Sequence, residues 1–213
     1  MKRLKLTGQS GNVARGPQEL AVAIIKKEHR ILSTVVSALQ QWVTKVAERH
    51  AEPDFAFFAA AIYYIHDFPE RCHHPKEDAH VFHALRSRTH RLDAIIEDLQ
   101  AEHARGAQMI AQLEHALVQY QGGAPGGFAL FKAAVDDYSA MLREHMRKEE
   151  DLLAEAKTYL GDADWREIAA AFEANDDPLF GASPRQEFAH LYFRIVNSLP
   201  DKLRSLFRQE IRL

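Results

Sequence analysis

His73-His74-Pro75-Lys76-Glu77 and His145-Met146-Arg147-Lys148-Glu149 each set a histidine four residues ahead of a glutamate. Residues four apart share one face of a helix, so each stretch aims an imidazole and a carboxylate at a common point. Two lone histidines, His29 and His103, lie on other apolar segments of the chain. Each of these residues falls on an apolar stripe. His29 is four after Ile25 and three before Leu32, His103 is four after Leu99, His145 is three after Leu142, and Glu77 is four before Val81. A polar group on a core-facing stripe is costly unless it is paired or coordinated. One such intrusion on each of four segments asks for a single explanation, which is a metal site inside a helix bundle.

The surrounding pattern is helical. Ile24, Ile25, Leu32, Val35, Val36, Leu39 and Val43 follow a three-four spacing and predict a first helix that stops near His50, before Glu52-Pro53. A second begins around Asp54 and carries Phe58, Ile62, Ile65, Val81 and Leu85, with a kink or local break where Pro69 and Pro75 interrupt it. A turn near Ser87 to His90 leads to a third helix with Leu92, Ile96, Leu99, Ile110, Leu113 and Leu117. That helix ends at the loop Gly122-Gly123-Ala124-Pro125-Gly126-Gly127. A fourth carries Phe128, Phe131, Val135, Tyr138, Leu142, Leu152 and Leu153 and ends near Gly161. Asp162 or Asp164 then caps a short helix through Phe172, and Ser183-Pro184-Arg185-Gln186 opens a last one. The expectation is an all-α, up-down-up-down four-helix bundle over residues 17–160. A flexible arm over residues 1–16 precedes it, and a helical extension over 161–213 packs on it.

Counting from the turns tests whether the candidates meet. His29 lies roughly 20 residues before the first turn and His73 roughly 20 after it, so both stand about 30 Å from that turn. His73 and Glu77 precede the second turn by about as many residues as His103 follows it. His103 and His145 are likewise equidistant from the glycine-rich loop. All four helices then deliver their ligands to one layer.

The rest of the composition narrows the function. In 213 residues, 27 basic and 30 acidic side chains give a net charge of −3, which offers no electrostatic case for nucleic acid. Cys72 is the single cysteine, so thiolate-ligated zinc or iron–sulfur clusters are excluded. The segment with Lys2, Arg3, Lys5 and Arg15 lacks the apolar run of a signal peptide, and no stretch is long and apolar enough to span a membrane. A cytoplasmic protein is expected. The sequence leaves its oligomeric state open, and a dimer is compatible with it.

Imidazoles and carboxylates without thiolates suit iron, manganese or zinc. His29, His73, Glu77, His103, His145 and Glu149 are too many donors for one tetrahedral ion and suit two octahedral ions bridged by Glu77 and Glu149. Positions left unfilled would admit water, oxide, O2 or NO.

In the order His29, His73-x-x-x-Glu77, His103, His145-x-x-x-Glu149, the chain resembles the hemerythrin-like family, the HHE cation-binding domain, over about residues 20 to 160. The segments His73 to Asp78, Glu102 to Gly106 and His145 to Glu150 carry the likeness. The tail, with Asp164-Trp165 and Asp177-Pro178-Leu179, is similar to an extension of some bacterial members. The resemblance implies a non-haem centre of two iron ions, with carboxylate and oxo bridges, and manganese or zinc as substitutes. It also implies a small diatomic ligand or peroxide as partner, in sensing or in oxidative or nitrosative stress. Iron storage, iron donation or repair is the alternative, and a helical interaction module with an incidental metal site is a third. Enzymatic turnover is not implied. The chain departs from the O2-carrying members at Ala107, where they place a second histidine of the third helix, and at Glu149, where they place a more distant aspartate. His74 and His80 are candidates for the missing histidine. His80 shares the stripe of His73, whereas His74 is rotated from it by about 100° on a regular helix.

The remaining candidates carry plainer roles. His66 reads as a residue behind the ligands or along a channel to them, and Tyr138 as a packed core tyrosine. Cys72 reads as an inert buried thiol. His83, His90, His115 and His190 read as surface or tail residues.

Overall fold

The computed structural model describes residues 16–175 and, further on, Asp177, Phe188, Leu191, Phe193, Ile195 and Asn197. α1 (Pro17–Ala47) opens with proline in its first turn, where the absent N–H costs nothing. Its 31 residues make a rod about 46 Å long. α2 (Phe55–Asp67) is capped by Asp54, whose carboxylate accepts from the Phe57 N–H at 3.0 Å. The second bundle helix then continues through π1 (Pro69–His73), α3 (His74–Lys76), π2 (Glu77–Phe82) and α4 (His83–Arg86). α5 (Asp93–Gln121) and α6 (Gly127–Ala156) complete the bundle, and α7 (Asp162–Glu173) follows.

The prolines do not break the second helix. Pro69 and Pro75 have no N–H to give to the ladder, and the chain absorbs the loss by widening. The Phe68 carbonyl accepts from Cys72 N at 2.9 Å and from His73 N at 3.2 Å. The His74 N–H reaches back to the Pro69 carbonyl, five residues away. π-turns of this kind reset the rotation of every side chain after them.

α1 packs against α2 and α6, and α5 packs against the same two helices, which is the square of an up-down-up-down bundle. The tight corner between α5 and α6 depends on two glycines. Gly126 holds φ at +74°, and a Cβ on Gly127 would stand 2.9 Å from the Tyr120 Cα. α6 stops at Ala156, a few residues short of the expected end near Gly161. α7 begins after Gly161, whose N–H is held by Asp164 Oδ2 at 2.9 Å, and it packs on α1.

Two apolar clusters fill the bundle, one toward each end. One holds Leu32, Val35, Phe58, Ile65, Ile110, Leu113, Phe131 and Leu142, and the described Phe188, Leu191 and Ile195 join it. The other holds Ile25, Val81, Leu85, Ile96, Leu99, Leu152 and Leu153, together with Trp165, Ile168 and Phe172 of α7. On every bundle helix the break between the clusters falls at the polar intrusions: between Ile25 and Ile31, Phe68 and Val81, Leu99 and Ile110, and Leu142 and Leu152. The candidate ligands therefore form one polar layer between two apolar plugs. Among the described residues no helix is long and apolar enough to cross a membrane. The arm before Gly16, His190 and the capping signal Ser183 to Gln186 lie outside the described residues.

Candidate metal centre

All six candidates read from the sequence are buried and converge on this layer: His29, His73, Glu77, His103, His145 and Glu149. A seventh joins them. His74 is buried, and its ring stacks on His103 with centroids 4.2 Å apart. The donor atoms gather into two groups, His29 with His73, Glu77 and Glu149, and His74 with His103 and His145. His80 instead faces outward beside Glu167, at 3.4 Å. The expectation that helical rotation favours His80 over His74 fails because π1 ends at His73 and α3 begins at His74. The altered winding there lets two consecutive histidines face the interior.

Glu77 and Glu149 each turn one oxygen toward each group. Glu77 Oε1 lies 3.5 Å from His73 Nε2 and 3.8 Å from His29 Nε2, while its Oε2 lies 3.6 Å from His103 Nε2. Glu149 Oε2 lies 3.3 Å from His29 Nε2, and its Oε1 lies 3.0 Å from His145 Nε2 and 3.4 Å from His103 Nε2.

The spacing of these donors is also that of ligands around a cation. Two donors bound at a right angle to one ion, each about 2.1 Å from it, stand about 3 Å apart. His29 Nε2 and His73 Nε2 are 2.9 Å apart, with the His73 Nδ1 already committed to a carboxylate. Glu77 Oε2, Glu149 Oε2 and His145 Nε2 are buried without a well-formed hydrogen bond among the described residues, although His145 Nε2 is close to Glu149. The donor set thus fits two ions that share Glu77 and Glu149.

Four of the five histidines turn their outer nitrogen to a carboxylate. Glu28 Oε2 lies 2.7 Å from His73 Nδ1, Glu102 Oε2 lies 3.0 Å from His145 Nδ1, Asp78 Oδ2 lies 3.5 Å from His103 Nδ1, and Glu70 Oε1 lies 3.5 Å from His74 Nδ1. A carboxylate on Nδ1 fixes the proton there and leaves the Nε2 lone pair for a metal. The outer carboxylates are held in turn. Asn175 donates to both oxygens of Glu28, at 3.0 and 3.2 Å; Gln100 donates to Asp78 at 2.9 Å; Lys148 reaches Glu102 at 2.7 Å and also pairs with Asp98. This outer ring was not read from the sequence. Its signal is an acidic residue directly beside a ligand candidate, and the partner it serves is usually on the next helix: Glu28 beside His29, Asp78 beside Glu77, Glu102 beside His103.

The electrostatics follow from burial and crowding. Burial alone would lower the pKa of His103, but Asp78, Glu149 and Glu77 overcome it and push the imidazole up to about 10. His73 and His145 are raised in the same way against their burial, by Glu77 and Glu28 and by Glu149 respectively. His74 goes the other way, held neutral by burial and by the neighbouring His103 and His73. Burial would raise Glu77, but His73 and His29 pull it down; Glu149 is also lowered, despite burial and Glu77, by His103 and His145. Burial lifts Glu70 to about 7. Without metal, protons balance the anionic layer, and a cation can replace them.

The other candidates fall outside the cluster. His66 is exposed on the bundle surface rather than behind the ligands, and His83, His90 and His115 are exposed. Cys72 is half-buried, with Sγ 3.8 Å from the Asp67 carbonyl. Tyr138 is buried in the core, its hydroxyl without a hydrogen bond among the described residues. Ala107 is exposed, so the helical position that holds a histidine in O2 carriers points away from the layer here.

Compared with known proteins, the chain matches no curated protein and no solved structure. Its sequence does match the hemerythrin HHE cation binding domain over residues 20–156, the stretch that forms the bundle and holds every residue of the two clusters. The chain belongs to the hemerythrin HHE cation-binding domain family.

Proposed function

We propose that the layer holds a non-haem di-iron centre that binds or reduces a small oxidant such as O2, NO or peroxide, in sensing or in defence against oxidative and nitrosative stress. His74, His103 and His145 would hold one ion and His29 and His73 the other, with Glu77 and Glu149 spanning both. Iron at these positions would supply electrons and open coordination positions for the oxidant. The observation that carries the reading is the opposed pair of oxygens on each of two buried glutamates, which gives one shared donor to each cluster.

The donor count is unequal. The three-histidine cluster gains one oxygen from each glutamate, for five donors, and the cluster with His29 and His73 has four. An octahedral ion in the second cluster would keep more open positions, so the small ligand is assigned to that side. The outer carboxylates favour iron held in place over iron handed on, because they fix the His73, His103 and His145 imidazoles before metal arrives.

The test is metal analysis and visible absorption of protein purified without chelator or tag-derived metal, followed by exposure of the reduced protein to O2 and to NO. About two irons per chain with absorption bands that respond to reduction and to either gas support the proposal. Iron that passes readily to an acceptor without such bands favours iron donation. Protein that cannot be reconstituted with ferrous ion overturns both.

A further inference from the structure

The matched family domain ends at residue 156, yet the chain beyond it reaches back to one histidine of the centre. Phe172 of α7 packs edge-on against the His73 ring, with centroids 5.5 Å apart. Just past α7, the Asn175 amide donates to both oxygens of Glu28, and Glu28 accepts from His73 Nδ1 at 2.7 Å. Two further contacts hold this end of the tail in place. Lys76 Nζ donates to the Ala171 carbonyl at 2.7 Å, and the Tyr64 hydroxyl donates to Asp177 Oδ2 at 2.9 Å.

We infer that Asn175 is a positioning residue for the centre: it fixes the Glu28 carboxylate, which fixes the His73 imidazole, so docking of the C-terminal segment and metal occupancy of the His29/His73 cluster are linked. This rests on the proposed metal centre and adds to it a residue outside the family domain.

The chemistry of the amide decides its role. Both Glu28 oxygens accept from the same Nδ2, so the carboxylate is held in one rotation, with Oε2 left facing His73. An amide brings no charge, so it holds Glu28 without setting a competing cation beside the imidazole. Asp78 and Glu102 are held by Gln100 and Lys148 of the bundle helices, and among the described residues Glu28 alone is held from beyond residue 156. Outer partners of metal-bound histidines typically change metal affinity by about 10–100-fold. Linkage is reciprocal, so an ion bound at His73 strengthens tail docking by the same factor.

The test compares Asn175→Ala and Asn175→Asp with Arg88→Ala in the full chain. Arg88 pairs with Asp164 at the start of α7, at 2.8 Å, and is exposed, so its loss removes a weak tail-to-bundle ion pair, leaves the tail docked and does not touch Glu28. Ferrous ion titration should resolve two binding steps in the wild type. Asn175→Ala should weaken one step about 10–100-fold and spare the other; Asn175→Asp, which sets a second carboxylate against Glu28, should weaken it further. Arg88→Ala should leave both steps unchanged. An unchanged titration for Asn175→Ala, an equal loss at both steps, or the same loss in Arg88→Ala overturns the inference. A second readout needs no metal: in the metal-free wild type the His73 Nδ1–H should exchange slowly with solvent by NMR, and faster in Asn175→Ala. If the wild type binds no iron, the proposed centre fails, and the exchange measurement still reports whether Asn175 holds Glu28 on His73. Equal exchange rates in both proteins would overturn the positioning role itself.

Discussion

Glu149 and His145 stand one turn apart on α6 and meet with Oε1 3.0 Å from Nε2, at the junction of the two clusters. The second oxygen of the same carboxylate faces His29 across the bundle, at 3.3 Å. A group shared in this way cannot be lost from one cluster alone. Glu149→Gln keeps the shape and one acceptor but removes the charge and puts an amide donor among the ligands. The expected result is less than one iron per chain after ferrous reconstitution, against about two in the wild type. Elemental analysis decides it, and two retained irons would show that Glu149 does not bridge.

His74 and His80 make a sharper comparison because they compete for one role. His74→Ala should weaken binding at the three-histidine cluster, about 10–100-fold, and lower iron content below two per chain, and His80→Ala should keep both ions. Thermal denaturation provides a second check. Bound metal stabilises the folded state by mass action, so added iron should raise the melting temperature of His80→Ala as in the wild type, and of His74→Ala by less.

Which parts of this arrangement were legible in the sequence depends on where helical periodicity holds. On α6 the regular spacing places His145 and Glu149 together, and both are buried in the layer. Counting from the turns also worked for His29 and His103, because α1 and α5 run without interruption to the layer. The same arithmetic misplaces His74, since it assumes a constant rotation that π1 does not keep. Two prolines six residues apart were the visible sign, read as a kink or local break where they mark a widened helix. The outer carboxylates escaped for another reason. Glu28, three after Ile25 and four before Leu32, and Glu102, three after Leu99, lie along apolar stripes too, but they serve histidines on neighbouring helices, a relationship that exists only once the bundle is assembled.

The raised pKa of His103 makes the metal-free protein sensitive to base. Its imidazole sits near 6.5 when unperturbed and is pushed up to about 10 in the fold, where Asp78, Glu149 and Glu77 outweigh burial. A group raised on folding contributes stability that is fully present below its unfolded value and is lost as pH rises through its folded value. Denaturant midpoints measured in chelator should therefore fall between about pH 6.5 and pH 10, and the fall should be shallower in His103→Gln. Metal replaces the proton, so loading should release protons, and iron affinity should rise over the same interval. Calorimetry in buffers of different ionisation enthalpy would count the protons, and a flat stability profile would remove His103 from the account.

Tyr138 tests whether a buried polar group near the layer belongs to it. Its hydroxyl is raised by burial and by the Glu70 carboxylate, so it stays protonated, and it makes no hydrogen bond among the described residues. A buried hydroxyl without a partner carries a desolvation cost that a ring of the same shape avoids, about 1–3 kcal/mol at most. Tyr138→Phe should therefore leave the metal-free protein as stable as the wild type or more so, with iron content unchanged. Its affinity for NO should also be unchanged, because the small ligand is assigned to the side of His29 and His73, whereas Glu70, which perturbs Tyr138, sits against His74. A metal-free protein destabilised by Tyr138→Phe would mean that the hydroxyl is bonded through water. A lower affinity for NO with stability intact would move the ligand to the three-histidine side, with Tyr138 as its hydrogen-bond donor.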